Sequence, residues 1–549
     1  MDSDAPRQNA NEILDYLVVA YYHAWFRFHP RLAMDAGMQD YAHLLPSLDE
    51  DRWGALLALN EKLINSLDEL AVDELNKRRR LNYELLRSSA YRENQSLLKN
   101  GLNRLDPQYF LPFWALKQLE IYPVEEFKTV LLQLLAAIPE HLRGARMLLQ
   151  RDEVSIPRLW LEACLQVLQQ GMAYLHELPH RPVVVQNMVQ STELMALLGR
   201  AQQAVRDYEC FLKHTLLPVA KTEVAVGRQT YQQMLLSQHR LPLELDVLSQ
   251  TLQRQQECVV AELQKLSMQM FADDDFVAVA ERLRVEAERV DDPVACYQQH
   301  LLTARAFVRD NGMLDMSGES MPKVSLLPKV LCFDEPYGSY LSLASWGGNR
   351  TGICWLAGDE GDAALAHTAV QAGWPGHHLQ EMLAKQNSEA RSVVRRTNRS
   401  ALFAMGWELY AEQLMVEKGF FKGVEHRFWL LLHRLWAVKQ AQLDFAVHCE
   451  GLSLDEAAEQ LRQVGLSERQ VQAKLLCFTR SPTRLLADIL GWLLIKGMRD
   501  YYMQQEQTFA DLSSFHRRLH EVGPVPLPLV ASYVFGDSFW HAVFERTFE

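Results

Sequence analysis

The sequence predicts a mainly α-helical protein, a large single helical body with a central cleft and a minor β element near residues 316–357. Apolar residues make up 48% of the 549 and charged residues 23%, which is the balance of a chain that buries a large core. Disordered, collagen-like and disulfide-scaffold classes are thereby excluded. Apolar positions recur at helical spacing over most of the chain, and only one region concentrates glycine and proline.

Two stretches in the C-terminal half show the helical spacing most clearly. In the first, apolar residues recur every three or four positions and Gly419 is placed to end the helix. In the second, the same spacing predicts a stripe that faces a core. The apolar positions are Trp407, Tyr410, Ala411, Leu414 and Met415 in the first stretch, and Phe428, Leu431, Leu432, Leu435, Trp436, Leu443, Ala446 and Val447 in the second.

The region between residues 316 and 357 has a different pattern. Short apolar runs, KVSLL, VLCF and SYLSLAS, alternate with Gly and Pro and lack a helical period, which indicates a small β element or ordered loops facing a cleft. No low-complexity linker or internal repeat divides the chain, so one domain over residues 1–549 is predicted. A helical part at 1–315 followed by a motif-bearing part at 316–549 is the alternative division.

The charge pattern restricts the partners. The net charge of −13 and the absence of a long basic run argue against binding to nucleic acid or to anionic lipid. The polar N-terminus and the lack of a long uncharged apolar segment predict a cytoplasmic protein without a membrane span.

Eight scattered cysteines with no CxxC pair favour buried thiols over a disulfide framework. The sequence makes no prediction of the oligomeric state.

A letter-for-letter HExxH string runs from His176 to His180. In zinc enzymes this string works because one helix presents both histidines on the same face. Pro179 forces its predecessor out of helical geometry and removes a backbone donor. The string therefore predicts the end of a helix and no zinc site.

The segment HTAVQAGWPGHHLQEML, from His367 to Leu383, places His377 and His378 at the start of a helix after a Pro-Gly turn. The string GWELYAE follows at residues 406–412. Together these motifs resemble the bacterial family called "domain of unknown function 885", whose members usually carry HExxPGHHLQ and EGWxLYAE. Weaker matches extend over nearly the whole chain, including HPRLAMDAG at residues 29–37 and FHRRLHEVGPVPL at residues 515–527.

The resemblance implies metallopeptidase-like chemistry, in which two histidines and a glutamate hold a divalent metal and the Glu after the first His is the general base. This chain departs from the family at those positions. Gln371 stands at the first His, Ala372 at the base and Met405 at the Glu of EGW. Later in the chain, Cys477, Arg484 and Asp488 replace the usual Arg, Gln and Tyr, and Gln440 replaces an Arg while Asp444 and His448 remain.

These replacements predict a catalytically degenerate relative. A glutamine amide is a poor zinc ligand, a thioether is soft and neutral, and alanine neither binds nor deprotonates water. We therefore expect no metal and no cofactor, and a pseudoenzyme or binding protein that takes a peptide or small molecule in the cleft. The candidate ligand-binding residues are Gln371, Trp374, Met405, Trp407 and Arg484.

The alternative is a metal-independent hydrolase or acyl-transfer enzyme that uses His377 or His378 as acid and base, with a carboxylate from Glu408 or from the Asp444–His448 pair. Met405, Glu408 and Glu412 are spaced i, i+3 and i+7, so one helix face should carry all three. Glu412 is expected in an ion pair or behind a ligand, and Tyr410 in the core or as an oxyanion donor. His367 could replace the ligand missing at Gln371 only if the helix is continuous between them.

Overall fold

The computed structural model describes residues 9–48, 50–99, 105–122, 124–151, 154–187, 192–286, 290–314, 321–329, 338–342, 352–358, 361–387, 392–505 and 511–548. The chain is mainly helical, with one small sheet in the predicted region, so the predicted fold class is confirmed. The described residues fall into two compact units. Unit 1 lies within Met1–Glu223, Pro328–Phe333 and Arg396–Asn398, and unit 2 within Val224–Leu327, Asp334–Arg395 and Arg399–Glu549. The single-domain organisation and the division at residue 315 stay predictions.

Unit 1 consists of helices and short helical turns. Its α-helices are α1 Ala10–Trp25, α2 Pro30–Asp35, α3 Glu50–Asp68, α4 Lys77–Lys99, α5 Phe113–Ile121, α6 Phe127–Leu149, α7 Arg158–Glu177, α8 Pro182–Asn187 and α9 Thr192–Phe211. Short 3₁₀ turns occur at Gln39–Tyr41, Val72–Glu74, Pro107–Phe110, Leu178–His180 and Leu217–Val219, and a π-helical turn at Leu212–Leu216. Helix α7 ends at Glu177, immediately before the turn that contains Pro179, as the sequence predicts for the HExxH string.

Unit 2 carries the sheet and the motif-bearing helices. Its α-helices are α10 Arg228–His239, α11 Leu245–Phe271, α12 Phe276–Glu286, α13 Pro293–Asp310, α14 Asp362–Thr368, α15 His377–Gln386, α17 Ala401–Glu417, α18 Val424–Cys449, α19 Leu454–Gln463, α20 Glu468–Arg480, α21 Ala487–Gln505, α22 Leu512–Leu519, α23 Leu527–Val530 and α24 Asp537–Phe548. The residues of α16, Val393–Thr397, are divided between the units. Shorter turns are π-helical at Ala369–Gly373 and Ala531–Phe535 and 3₁₀ at Arg484–Leu486.

The sheet has three strands, β1 Lys323–Leu326, β2 Gly338–Ser342 and β3 Gly352–Leu356, in the order β1-β3-β2. Strand β3 pairs in parallel with β1 and antiparallel with β2. All five residues of β3 are buried, as expected for a central strand. The rest of the predicted β region, residues 316–320, 330–337 and 343–351, lies outside the described residues.

The predicted apolar stripes form the core of unit 2. All five apolar positions on α17 are fully buried, and Gly419 follows the end of that helix with a positive φ of 78°. On α18, Phe428, Leu431, Leu432 and Leu435 pack against α11 and α12 in one hydrophobic cluster. Among the helices of the described ranges, none combines enough length with enough apolar sequence to cross a lipid bilayer.

The close contact between α17 and α21 fixes the position of the motif-bearing helix. A Cβ built on Gly406 would overlap the backbone of Gly491, and a Cβ on Gly491 would overlap the carbonyl oxygen of Leu402. Only glycine allows the two helix backbones to approach this closely. The glycine of the GWxLYAE motif is therefore a packing residue that sets where the polar face of α17 lies.

Candidate functional site

Helix α17 presents Met405, Glu408 and Glu412 to different partners along one face. Glu408 contacts His377, Glu412 contacts His367, and Met405 receives a contact from Arg484. We call the region of His377, Glu408, Met405 and Arg484 the motif end, since it contains His377 of the PGHH string and Glu408 of the GWELYAE string. The group of Glu412, His367, His433, His426 and Gln371 is called the Glu412 cluster.

The segment before α15 is one continuous helix. Helix α14 passes without a break into the π-helical turn Ala369–Gly373, so His367 and Gln371 share a helix. The chain then turns at Trp374–Gly376, with a cis peptide before Pro375, and α15 begins at His377. A Cβ on Gly376 would overlap the carbonyl oxygens of Gln371 and Val370, which explains the glycine of the PGHH motif.

At the motif end, His377 lies between a carboxylate and a guanidinium. Its Nδ1 is 3.1 Å from Oε1 of Glu408, and its Nε2 is 3.4 Å from Nη2 of Arg399. Because an arginine can only donate, Nε2 accepts and Nδ1 carries the proton that faces Glu408. Arg399 also forms two hydrogen bonds to the buried Glu381, one of them 2.8 Å long. Burial opposes ionisation of Glu381, but Arg399 outweighs it and holds the pKa of Glu381 below its usual value.

His378, the second histidine of the motif, faces a different environment. Its side chain is fully buried, with Nδ1 2.9 Å from the hydroxyl of Tyr340 and its ring edge-to-face against Trp374 at 4.8 Å. Burial raises the pKa of Tyr340. His377 is thus the half-buried histidine and His378 the buried one.

Gln371 and Met405, two positions at which the resemblance predicts metal ligands, have other partners in the structure. Arg484 points Nη2 at the sulfur of Met405, 3.3 Å away. Nearby, burial raises the pKa of Asp488, and the carboxylate of Glu408 adds to that effect, whereas Lys474 and Arg484 oppose it. Gln371 donates its amide to Oε2 of Glu412 at 2.9 Å. An amide that donates to a carboxylate and a thioether beside a guanidinium are poor ligands for the zinc that the resemblance predicts.

Buried polar atoms without hydrogen-bond partners among the described residues occur beside the motif. Trp374 Nε1 and both amide atoms of Gln380 are of this kind, and so is Oε1 of Gln440. Gln380 lies three residues after His377 on α15, on the same side of the helix. Buried polar atoms are nearly always hydrogen-bonded, to protein, water or ligand.

In the Glu412 cluster, two histidines converge on one carboxylate oxygen. Oε1 of Glu412 is 2.5 Å from Nδ1 of His367 and 2.8 Å from Nδ1 of His433. Nε2 of His367 lies 3.1 Å from Nδ1 of His426, and the ring of Phe421 stacks on His367 at 4.2 Å. Glu412 and His367 are completely buried.

The charges of the cluster follow from that burial. Burial opposes ionisation of Glu412, but His433 and His367 outweigh it and hold the pKa of Glu412 below its usual value. Burial also lowers the pKa of His367 and of His426. A second group of donors, Cys296, His300 and Asp362, lies near His426.

Asp444 and His448, the other predicted pair, are tied to the surrounding backbone. Oδ2 of Asp444 accepts from the hydroxyl of Tyr231 at 2.7 Å and from the backbone N–H of Thr483 at 2.8 Å. His448 donates from Nε2 to the carbonyl of Phe478 and accepts at Nδ1 from the backbone N–H of Val226. The one ring proton of the neutral histidine is therefore already used in a hydrogen bond. The two side chains are 3.7 Å apart. Burial raises the pKa of Asp444 to about 7.

Tyr410 and Trp407 are core residues of α17. The hydroxyl of Tyr410 donates to Nε2 of His516, whose Nδ1 proton faces the carbonyl of Met313. The indole of Trp407 donates to the carbonyl of Pro375 at 2.9 Å and so ties the PGHH turn to α17. Of the predicted residues, the structure brings together His377 with Glu408, Met405 with Arg484, and Asp444 with His448.

Two residues of the Glu412 cluster were not singled out by sequence reasoning. His426 and His433 lie seven residues apart on α18 and so share one helix face. That spacing can be read from the sequence, but it indicates a shared site with Glu412 only once Glu412 is known to face α18. From the sequence, Glu412 is expected in an ion pair or behind a ligand. His367 is expected to replace the ligand missing at Gln371 only if the helix between the two residues is continuous.

The sequence profile of a family described as "Bacterial protein of unknown function (DUF885)" matches residues 30–534. The chain belongs to the DUF885 family. Its structure is similar to those of two proteins described as putative lipoproteins. One, from Shewanella oneidensis and of unknown function, is 17% identical with a TM-score of 0.75, covering 95% of this chain and 99% of that one. The other, from Colwellia psychrerythraea, is 16% identical with a TM-score of 0.81, covering 98% and 100%.

At these identities the likeness shows that the three chains share a fold, and it carries no statement about activity. Among the curated proteins, none matches the chain. We therefore infer the function from the side chains of α14 to α21.

Proposed function

We propose that this DUF885 member is catalytically degenerate at the family's metal position and acts there as a binding protein for a peptide or small ligand. The observation that carries the proposal is the contact of Arg484 with the sulfur of Met405. A guanidinium is always charged, so it repels a divalent cation from the place where the resemblance puts a metal-binding carboxylate. The replacement thus removes a ligand and adds a competing positive charge.

The absence of a base at the family position supports the same proposal. Ala372 stands where the resemblance puts the residue that deprotonates the metal-bound water, and alanine cannot accept a proton. The amide of Gln371 is committed to Glu412. Among the described residues of the motif end, His377 already contacts Glu408 and Arg399. We therefore do not expect it to replace the missing metal ligand or the missing base.

The unpaired polar atoms support a binding role. Trp374 Nε1 and the amide of Gln380 are buried without partners among the described residues, and they flank the start of α15. A ligand with hydrogen-bonding groups, such as a peptide, would satisfy them. Arg484 and Arg399 supply positive charge for an anionic group of that ligand, for example a peptide carboxylate.

The proposal is tested by turnover and by binding. The purified chain, supplied with Zn²⁺, should not hydrolyse members of peptide and ester libraries above the buffer rate. Peptides that raise its melting temperature should lose that effect in Arg484→Ala and keep it in Arg427→Ala, an exposed arginine of α18 paired with Glu262. Zinc-dependent turnover that disappears in the Met405→Ala variant would contradict the proposal.

A second candidate is a metal-independent hydrolase or acyl-transfer enzyme. The observation that favours it is the 3.1 Å contact between Nδ1 of His377 and Glu408, a histidine oriented by a carboxylate. Chelator-resistant turnover that vanishes when both His377 and His378 are replaced by alanine, and falls in Glu408→Gln, would favour this candidate over the binding protein.

The cytoplasmic location and the lack of nucleic-acid and membrane partners are part of the proposal. They rest on the net charge of −13 and on the absence of a long basic run in the sequence. Fractionation of the cells that produce the chain, followed by detection with an antibody, tests the location. Recovery in the membrane fraction would contradict it.

A further inference from the structure

We infer that His367, His433 and Glu412 form a binding site for a divalent transition-metal ion, and that Zn²⁺ is the ion that suits the donors best. One donor atom from each residue lies within 4.8 Å of the other two. Two imidazoles and one carboxylate form a donor set that zinc takes in sites with an open fourth position. None of the three donors is Gln371, Ala372 or Met405, so the donor set differs from the one that the resemblance predicts, although Gln371 donates to Glu412 from behind the site.

The three donors come from three separate helices. His367 is on α14, Glu412 on α17 and His433 on α18. Ligands on helices are held more precisely than ligands on loops. The polar face of α17 carries Glu412 one turn beyond Glu408, which places this site beside the motif end without sharing a donor with it.

Only a small adjustment is needed to admit the ion. The two Nδ1 atoms lie 2.5 and 2.8 Å from Oε1 of Glu412. A tetrahedral zinc with bonds of about 2.0 to 2.1 Å separates neighbouring donor atoms by about 3.3 Å. Each of these two nitrogen–oxygen pairs must therefore open by less than about 1 Å. Rotation of the His433 side chain, itself 19% exposed, can supply the opening on its side.

The residues behind the donors have the arrangement that metal ligands usually show. When a histidine binds metal through one nitrogen, the other usually donates to a carboxylate, carbonyl or water. Here Nε2 of His367 lies 3.1 Å from Nδ1 of His426, which accepts when its own proton is on Nε2. Gln371 donates to Oε2 of Glu412 and leaves Oε1 as the oxygen that faces both histidines. Phe421 stacks on His367 and shields it from water.

The burial of the carboxylate also favours a cation. Glu412 is fully buried, and a buried carboxylate needs a compensating positive charge. Among the described residues, its direct hydrogen-bonding and ion-pair partners are His367, His433 and Gln371, with neither a lysine nor an arginine. The nearby Arg434 lies on the ring of Trp492 at 4.0 Å and donates to Gln413 instead.

The competing account is a hydrogen-bonded cluster without an ion. If each Nδ1 carries its proton, both histidines donate to Glu412 and the same distances result. Moving each proton to Nε2 frees both Nδ1 atoms for a metal. The two accounts therefore differ in what happens when Zn²⁺ is offered.

The experiment uses the full chain, stripped with a chelator and titrated with Zn²⁺ against a competing indicator. We expect about one Zn²⁺ per chain by elemental analysis, and with Co²⁺ a visible absorption band typical of low coordination number. His433→Ala should weaken zinc affinity by about 100-fold or more, beyond the ~10 to 100-fold loss typical of residues behind the ligands. Parallel titrations with Fe²⁺ and Mn²⁺ identify the preferred ion. A chain that binds none of these ions at micromolar free concentration overturns the inference.

A matched control separates this site from the neighbouring donors. His300 belongs to the second group, with Cys296 and Asp362, and its Nε2 is 2.8 Å from Asp362. His300→Ala should retain the zinc affinity of the unmodified chain. Zinc that is lost in His300→Ala and kept in His433→Ala would overturn the assignment. Glu412→Gln provides a second variant of the proposed ligands, and a circular dichroism spectrum checks that each variant is folded.

The inference goes beyond the proposed function and fails separately from it. Zinc bound without hydrolysis supports both. No zinc and no hydrolysis overturns the inference and leaves the binding protein intact. Zinc bound at this site together with zinc-dependent hydrolysis lost in His433→Ala supports the inference and contradicts the binding protein.

Discussion

The motif end and the Glu412 cluster lie one helical turn apart on α17, yet the cationic residues around them differ in type. At the motif end, fixed cations are the main partners: Arg484 contacts Met405, and Arg399 contacts His377. In the Glu412 cluster, the partners are histidines, which can give up protons and bind metals. The two regions share a helix but differ in burial as well as in side chains, since His377 and Glu408 are 19% and 21% exposed whereas His367 and Glu412 are fully buried.

The backbone that both regions share is held in place by packing residues. Gly406, Gly376 and Trp407 keep the backbone of the family motifs in place through close packing and one indole hydrogen bond. None of these contacts requires a metal ligand at residue 371 or 405. The packing role of these three residues is therefore independent of whether the site binds a metal.

The motif end should be the more sensitive to loss of an arginine. Arg399→Ala leaves the buried Glu381 without its ion-pair partner, which we expect to cost about 3 kcal/mol in the free energy of unfolding, the lower end of the range for breaking a buried pair. The lower end applies because the Arg399 side chain is 36% exposed. Urea unfolding at pH 7 measures the loss.

Arg427→Ala is the matched control for that prediction. Its guanidinium pairs with Glu262 on the surface, where both side chains are about half exposed. Such pairs contribute between about 0 and 1 kcal/mol. Equal losses in the two variants would show that Arg399 is not the partner that neutralises Glu381.

The sequence allowed much of this arrangement to be predicted. The apolar stripes of α17 and α18, the end of α17 near Gly419 and the small sheet follow from local patterns, and the structure confirms them. The shared face of Met405, Glu408 and Glu412 followed from helical geometry. The histidine partners of Glu412 could not be predicted, because His426 and His433 come from another helix whose orientation toward α17 depends on packing over the whole unit.

Gly406→Ala tests both regions at once, since both rest on α17. The added Cβ would overlap the backbone of Gly491, and we expect a loss of about 2 to 3 kcal/mol in the free energy of unfolding, at the upper end for overpacking. Gly199→Ala in α9 is the control, because no atom lies within 4 Å of the added Cβ. It should stabilise the chain by up to about 1 kcal/mol through helix propensity. A neutral Gly406→Ala would contradict the packing role.

Asp444 extends the comparison, because it is a buried carboxylate beside a histidine, His448, whose ring proton is donated to the carbonyl of Phe478 instead. Burial raises its pKa from 3.8 to about 7, whereas His433 and His367 hold that of Glu412 low. Between pH 4 and 7 the unfolded chain releases this proton and the folded chain keeps it, so stability falls as pH rises, by about 1.4 kcal/mol per pH unit. Above pH 7 both states are ionised and the effect levels off.

Asp444→Asn removes that titration and retains an acceptor for Tyr231 and Thr483. The difference in unfolding free energy between the variant and the unmodified chain should therefore change with pH from 4 to 7 and become constant above. Urea unfolding at half-unit pH intervals measures it. Parallel profiles would mean that Asp444 is ionised in the folded chain at all these pH values.

The smallest effect is expected at His426, which among the described residues of the Glu412 cluster contacts His367, at its Nε2. His426→Ala removes the acceptor that favours the metal-binding tautomer of His367, and water can take its place because His426 is partly exposed. Zinc affinity should fall by about 10-fold, the low end for residues behind the ligands. His426→Gln, which keeps an acceptor, should recover part of that loss. If His426→Ala instead abolished zinc binding as completely as His433→Ala, His426 would be a ligand itself, and the division between donors and supporting residues would have to be redrawn.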